Sequence, residues 1–218
     1  MFTSDILMTR IVVFAKAPVA GFAKTRLIPA LGAAGAAALA GRMLAHTLTH
    51  ALAANVGAVE LCMSPAPADA AWQGVALPQG IECSSQGGGD LGARMSRTVD
   101  RNLALQQGPV LLAGTDCPSL TAERMAEASR QLAQHDAVLI PAADGGYVLI
   151  GLQAPCPKLF TNMAWSTSTV AAETLRRMAD LGLRVWQGPV LHDIDEPADL
   201  VHVPSSLNTS KTAHLGIK

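Results

Sequence analysis

Two groups of charged residues have the types and spacing to handle a phosphate and a cation. The first is the stretch from Lys16 to Arg26, which holds Lys16, Gly21, Lys24, Thr25 and Arg26. Ammonium, guanidinium and hydroxyl donors on a glycine-containing loop suit a phosphate or diphosphate. A solvated basic loop has the same composition, and the Walker A reading fails because no glycine stands at the required upstream position. The second group is Asp193-Ile-Asp195-Glu-Pro-Ala-Asp199. Asp193 and Asp195 would share one side of an extended chain, and their hard oxygens suit Mg²⁺ or Mn²⁺. Alternatively, Asp195 caps a short helix opened by Glu196-Pro197, with Asp199 in its first turn.

Three further motifs bear on the same chemistry. Gly114-Thr-Asp116-Cys-Pro118 follows the apolar run Val110–Ala113, so Asp116 stands at the carboxyl tip of a strand, where open α/β sheets bind ligands. An aspartate there is also a common turn residue. Asp144-Gly145-Gly146-Tyr147 is either a hairpin turn or a place where a sugar or nucleotide presses against bare backbone. Trp165-Ser166 sits among hydroxyls just before a helical stretch, as a binding platform or a helix-entry staple. Gly87-Gly-Gly-Asp-Leu-Gly92 satisfies GxGxxG, but mid-chain after a weak strand it reads as a turning glycine loop. His46 and His50 lie one helical turn apart with no acid or cysteine at matching spacing, which suits surface or half-buried histidines. The chain has no nucleophile elbow, HExxH or EF-hand loop, which disfavours a covalent hydrolase.

The elements that must position these residues are legible from periodicity. Arg10–Ala15, Ala58–Met63, Ile81–Ser84, Pro109–Ala113, Ala137–Pro141, Tyr147–Leu152 and Leu183–Trp186 read as strands. Helices are expected over the alanine-rich stretch to about Ala54, over Leu91–Gln107, Ala122–Gln134 and Thr169–Leu181, the last ended by Gly182. Alternating strands and helices with continuous apolar runs predict one α/β domain, a three-layer α/β/α sandwich around a mostly parallel sheet. The domain is expected over residues 1–203, and 204–218 reads as a disordered tail.

The 218 residues are 50% hydrophobic, 15% charged and 4% aromatic, with a formal net charge of −1. This excludes a nucleic-acid binder working through a basic field, and it excludes a disordered chain. Four well-separated cysteines without a CxxC pair read as reduced thiols, mostly buried. The stretch Leu27–Ala40 is too short and too weakly apolar to span a bilayer, and no secretory signal is visible, so a cytoplasmic setting is expected.

Taken together, Phe14–Leu27, Gly89-Asp90-Leu-Gly-Ala-Arg94-Met95, Gly114–Leu120, Asp144–Tyr147, Trp165-Ser-Thr167 and Asp193–Leu200 resemble one family, over about residues 10–202. It is a bacterial family of uncharacterised GT-A-like transferases, known as glycosyltransferases associated with arsenosugar biosynthesis. It is distantly similar to the molybdenum-cofactor and phospholactate guanylyltransferases. The resemblance implies a nucleotide-diphospho-sugar transferase fold with the nucleotide over the N-terminal half of the sheet. Lys16, Gly21, Lys24, Thr25 and Arg26 would hold phosphates, with Lys24 and Arg26 neutralising the leaving group. Asp116 would be the main metal ligand and Asp195 the second, for Mg²⁺ or Mn²⁺. Asp90 and Arg94 would lie near the base or ribose. Asp144, Gly145, Gly146, Trp165 and Ser166 would face the sugar or a small-molecule acceptor. The LxAGGxxxRMG loop of the small nucleotidyltransferases is replaced here by a loop containing lysine and proline. The expected activity is metal-dependent glycosyl transfer from a nucleotide sugar. Nucleotidyl transfer from a triphosphate and nucleotide binding without turnover are the alternatives.

Overall fold

A computed structural model describes residues 8–106 and 108–208. Seven strands form one sheet: β1 (Arg10–Lys16), β2 (Val59–Ser64), β3 (Ile81–Ser85), β4 (Val110–Ala113), β5 (Ala137–Pro141), β6 (Tyr147–Leu152) and β7 (Val185–Gln187). Their order is β3-β2-β1-β4-β6-β5-β7. All neighbours are parallel except β6, which runs antiparallel to both β4 and β5. The chain steps outward from β1 to β2 and β3, then crosses β1 to lay down β4 on its other side. That reversal opens a crevice beyond the carboxyl ends of β1 and β4.

Among the described residues four α-helices cover the sheet: α1 (Ile28–Ala53), α2 (Leu91–Gln106), α3 (Ala122–Leu132) and α4 (Val170–Asp180). Alternation along the strands sorts the core into two layers. Ile11, Val13 and Ala15 of β1 face α1 and α3, packing with Leu44, Leu48, Met125 and Leu132. Val12 faces the other way, in the layer that holds Met95 and Val99 of α2 and Met178 of α4. The expected three-layer, mostly parallel α/β/α sandwich is what forms.

The helical stretch Thr25–Ala53 is longer than the 27–40 run considered above, and length and apolar composition alone would let it cross a membrane. Its packing accounts for those residues instead: Ala36, Leu39, Met43, Leu44, Leu48 and Ala51 are buried against the rest of the fold. Gly32 (φ 70°, ψ 164°) breaks the helix near its start. Two other expectations need correction. Residues 204–208 are not a loose tail: Ser205–Leu207 form a 3-10 turn, Leu207 is buried beside Leu39 and Ile194, and its carbonyl accepts from Arg42 Nε at 2.8 Å. The remainder of the expected tail, 209–218, lies outside the described residues. The four cysteines are free as expected, but Cys83 is exposed.

Candidate active site

A cleft of about 710 Å³ occupies the crevice at the switch point. The loop leaving β1 forms one wall, and a 3-10 turn (Thr25–Leu27) connects it to α1. The tip of β4 contributes Asp116. The antiparallel pairing of β6 places Leu149 opposite Ala113, so Tyr147 and the turn before it reach the same edge. That turn is tight: Asp144 Oδ1 accepts from Gly146 N at 2.7 Å, and Gly145 takes φ +90°. The segment after β7 runs beside β5 through an Ala142–Leu191 bridge, and Ile194 N donates to Asp116 O at 2.8 Å. This last bond delivers Asp195 to Asp116 across a long sequence separation.

Lys16, Lys24, Thr25, Arg26, Arg94, Asp116, Asp144, Gly146, Trp165, Ser166 and Asp195 all line this cleft. Lys24 sits differently from the expectation. Its side chain is only 8% exposed, and its ammonium lies 2.5 Å from Asp116 Oδ1 and 2.7 Å from Asp195 Oδ1. It also donates to Ile194 O at 2.7 Å. Burial works against its charge, but Asp116 and then Asp195 outweigh that and raise its pKa above the ordinary lysine value. Lys24 therefore neutralises the two carboxylates assigned to a metal instead of standing free for phosphate. Its backbone is left-handed (φ 48°), as is that of Ser166 (φ 63°), an unusual conformation for residues other than glycine. The positions left to meet an anion from the basic wall are Lys16, Arg26 and Arg94, with Arg26 only 3.9 Å from Glu196.

Three expected residues do not line the cleft. Gly21 (φ +83°) turns in open space. Asp90 caps α2, its Oδ1 accepting from Ala93 N at 2.8 Å, and it lines a separate groove on the outer side of that helix. Gly145 packs instead of binding: an added Cβ would lie 2.0 Å from Ser168 O. Asp195 is not the helix cap. Glu196 takes that place, and Asp199 Oδ2 accepts from the backbone N–H of both Asp195 (2.9 Å) and Glu196 (2.7 Å). The Asp195 carboxylate is thereby free to face Lys24.

Carboxylate oxygens of Asp144, Asp193 and Asp195 lie within 4.8 Å of one another. Burial, and next the Asp144 charge, push Asp193 up to about 6. Asp193 was legible only as a neighbour of Asp195 on an extended chain. Two residues that do line the cleft, Gln86 and Phe22, carried weaker signals: Gln86 follows a strand end as Asp116 does, and Phe22 is a lone ring in a basic loop. The aromatic wall is Tyr147 against Trp165, edge to face with centroids 6.5 Å apart. Burial raises the Tyr147 phenol well above its ordinary pKa, so it stays protonated. His46 and His50 brace the Asp116 loop from behind: His46 Nε2 donates to Pro118 O at 2.9 Å, and His50 Nδ1 accepts from Ala122 N at 3.1 Å.

The model of a family described as uncharacterized proteins conserved in bacteria (DUF2064) matches residues 47–167. The chain belongs to this family. No curated protein matches it in sequence. Among solved structures, a protein from Desulfovibrio desulfuricans G20, provisionally described as a nucleotide-diphospho-sugar transferase, is 32% identical with a TM-score of 0.83. That match covers 93% of this chain and 89% of the other. A 4-diphosphocytidyl-2C-methyl-D-erythritol synthase from Anaerococcus prevotii is similar in fold at 12% identity (TM-score 0.57, covering 91% and 95%). So is a CMP:2-keto-3-deoxy-manno-octonic acid synthetase solved with CTP, at 11% identity (TM-score 0.55, covering 89% and 95%). The fold is thus of the nucleotide-diphospho-sugar transferase type, and this DUF2064 chain carries its cleft where that architecture has its switch point.

Proposed function

We propose that the cleft binds a nucleotide sugar with a divalent cation and transfers the glycosyl group to a small-molecule acceptor. The observation that carries this reading is the juxtaposition in one cleft of basic side chains (Lys16, Arg26, Arg94) and carboxylates (Asp116, Asp144, Asp195). A diphosphate bridged to a cation is a ligand that satisfies both at once. The description of the Desulfovibrio protein supports the same chemistry.

Mg²⁺ or Mn²⁺ fits the donor set of Asp144, Asp193 and Asp195, three hard carboxylates within reach of one another. This adds Asp144 and Asp193 to the expected Asp195; Asp116, the other expected ligand, lies outside that group, and Asp116 and Asp195 both hold the Lys24 ammonium. When bound, the cation would offset diphosphate charge. The chain's own residues supply the rest. Arg26 and Arg94 stabilise charge developing on the leaving diphosphate, and Lys24 holds Asp116 and Asp195 in register. Trp165 and Tyr147 form a wall that excludes water from the transferred group. No covalent intermediate is required, because orientation and electrostatics lower such a barrier.

Nucleotidyl transfer with release of pyrophosphate is the second reading, supported by the CTP-bound synthetase of similar fold. The association with arsenosugar biosynthesis rests on the motif resemblance and supplies one acceptor class to test. Reduced cysteines fit the cytoplasmic setting expected of such a reaction. One experiment separates the readings: nucleotide sugars and triphosphates are incubated with Mn²⁺ and acceptor mixtures, and products are followed by mass spectrometry. Nucleoside diphosphate release that depends on acceptor supports glycosyl transfer, whereas pyrophosphate release supports the second reading. Asp195→Asn should weaken Mn²⁺-dependent nucleotide binding by about tenfold or more. Unchanged calorimetric affinity in that variant would overturn the metal assignment.

A further inference from the structure

Gln86 directly follows β3 and is nearly sealed at 4% exposure, yet it lines the cleft. Its backbone N–H donates to Met63 O at 3.0 Å, and its backbone carbonyl accepts from Arg97 Nη1 at 2.7 Å. Its side-chain Nε2 donates to Ala15 O at 3.1 Å and to Cys62 O at 3.0 Å. Two carbonyl partners admit only the amide NH₂ on that side, so the orientation of the carboxamide is fixed. Only Oε1 is left. No described residue donates to it, and it is not among the unpartnered polar atoms sealed from solvent. The space it opens on is the cleft. Solvent reaches this acceptor, and a ligand that displaced the water without supplying a donor would leave it unpaired.

Its place in the fold says which part of a ligand it meets. Gln86 is tied to the carboxyl ends of β1 and β2, whereas Asp116 and Asp195 lie on the β4 side of β1. The basic loop leaves β1 between them. A diphosphate held on that loop would have Asp116 and Asp144 to one side and Gln86 to the other. Phe22, 81% exposed, and Leu91, 42% exposed, line the same cleft and offer apolar area to the face of a ring.

We propose that Gln86 selects the nucleobase, its Oε1 accepting a hydrogen bond from a ring or exocyclic N–H on the base edge. The inference rests on the reading of the cleft as a nucleoside diphosphate site. A site built to pair with an N–H rejects a ligand lacking it, because its own acceptor is then left bare.

The test titrates the protein with UDP, GDP, CDP and ADP in Mg²⁺ by calorimetry, then with the preferred nucleotide N-methylated on its base edge. Wild type should favour one base and bind its methylated analogue by roughly tenfold or more weaker. Gln86→Leu should flatten the preference among the four bases and leave the affinity for inorganic pyrophosphate unchanged. An unchanged base preference in Gln86→Leu overturns the proposal, and so does a parallel loss of pyrophosphate affinity. If that variant fails to fold, the methylated analogue decides on wild type alone: equal affinity overturns the proposal. Sensitivity to removal of a ribose hydroxyl in place of base methylation overturns it as well. Failure of wild type to bind any of the four nucleotides overturns the nucleotide reading itself, which none of the other outcomes does.

Discussion

Lys24→Met removes the ammonium that joins Asp116, Asp195 and the Ile194 carbonyl while keeping the aliphatic stem. Breaking a fully buried ion pair costs about 3–5 kcal/mol, because the remaining charge is left in a poor solvent. Here the lysine side chain is 8% exposed, but Asp116 and Asp195 are 52% and 37% exposed. Water can therefore reach both carboxylates once the ammonium is gone, which brings the loss down to about 2 kcal/mol, the scale of a charge-assisted hydrogen bond. For a domain of this size that lowers Tm by about 4–8 °C. Scanning calorimetry of Lys24→Met, Asp195→Asn and the double variant at pH 7 measures the effect. The singles should not add, with a coupling of about 1 kcal/mol between sites in contact. Mg²⁺ should also raise the Tm of Lys24→Met more than that of wild type, since two carboxylates have lost their internal cation. Additive singles, or equal Mg²⁺ stabilisation of wild type and variant, would show that Lys24 does not organise the site.

Two further outcomes follow from the geometry. Gly145→Ala combines an unfavourable φ of +90° with a Cβ 2.0 Å from Ser168 O, so the Asp144 turn and the Trp165 loop must separate. A loss of about 3 kcal/mol or more is expected in urea denaturation, and a change below about 1 kcal/mol would contradict the close packing. His50 is held neutral in the fold: burial and then His46 lower its pKa from 6.5, more than Glu123 raises it. Its contribution to stability is therefore present above that pH and lost as pH falls from 6.5 through the folded value, when Nδ1 can no longer accept from Ala122 N. His50→Ala should be less stable than wild type at pH 7.5 and should show a shallower decline in Tm toward pH 5.5; parallel declines would refute this account.

Much of the fold was legible because the strands are continuous apolar runs and the helices are bounded by proline and glycine. The strand boundaries expected from residues 10–15, 137–141 and 147–152 match β1, β5 and β6 to within a residue. Position at a strand tip was also sufficient to place Asp116 on the cleft, since a parallel sheet presents its carboxyl ends together. Asp90 was misplaced for a local reason. An aspartate directly after three glycines and just before a helix is a ligand candidate and a cap at once, and only its contacts separate the two. Gln86 was missed because its significance lies in which of its groups are already spent on Ala15, Cys62 and Met63, and a one-dimensional pattern carries no such count.

The sequence by itself determined the alternation of strands and helices, the single sheet and the chemical inventory of the cleft. These depend on side-chain periodicity and residue type, which are local properties. Only the tertiary structure decided what the charges do. Lys24 is a phosphate ligand by composition, but the Ile194–Asp116 backbone bond carries Asp195 to it from the far end of the chain. Leu207 looks like part of a tail, yet it finishes a small core with Leu39 and Ile194. A buried ammonium goes to the carboxylate oxygens within its reach, and a side chain near the chain end goes to the apolar gap within its reach. Both are settled by distance in space, a quantity that residue order does not contain.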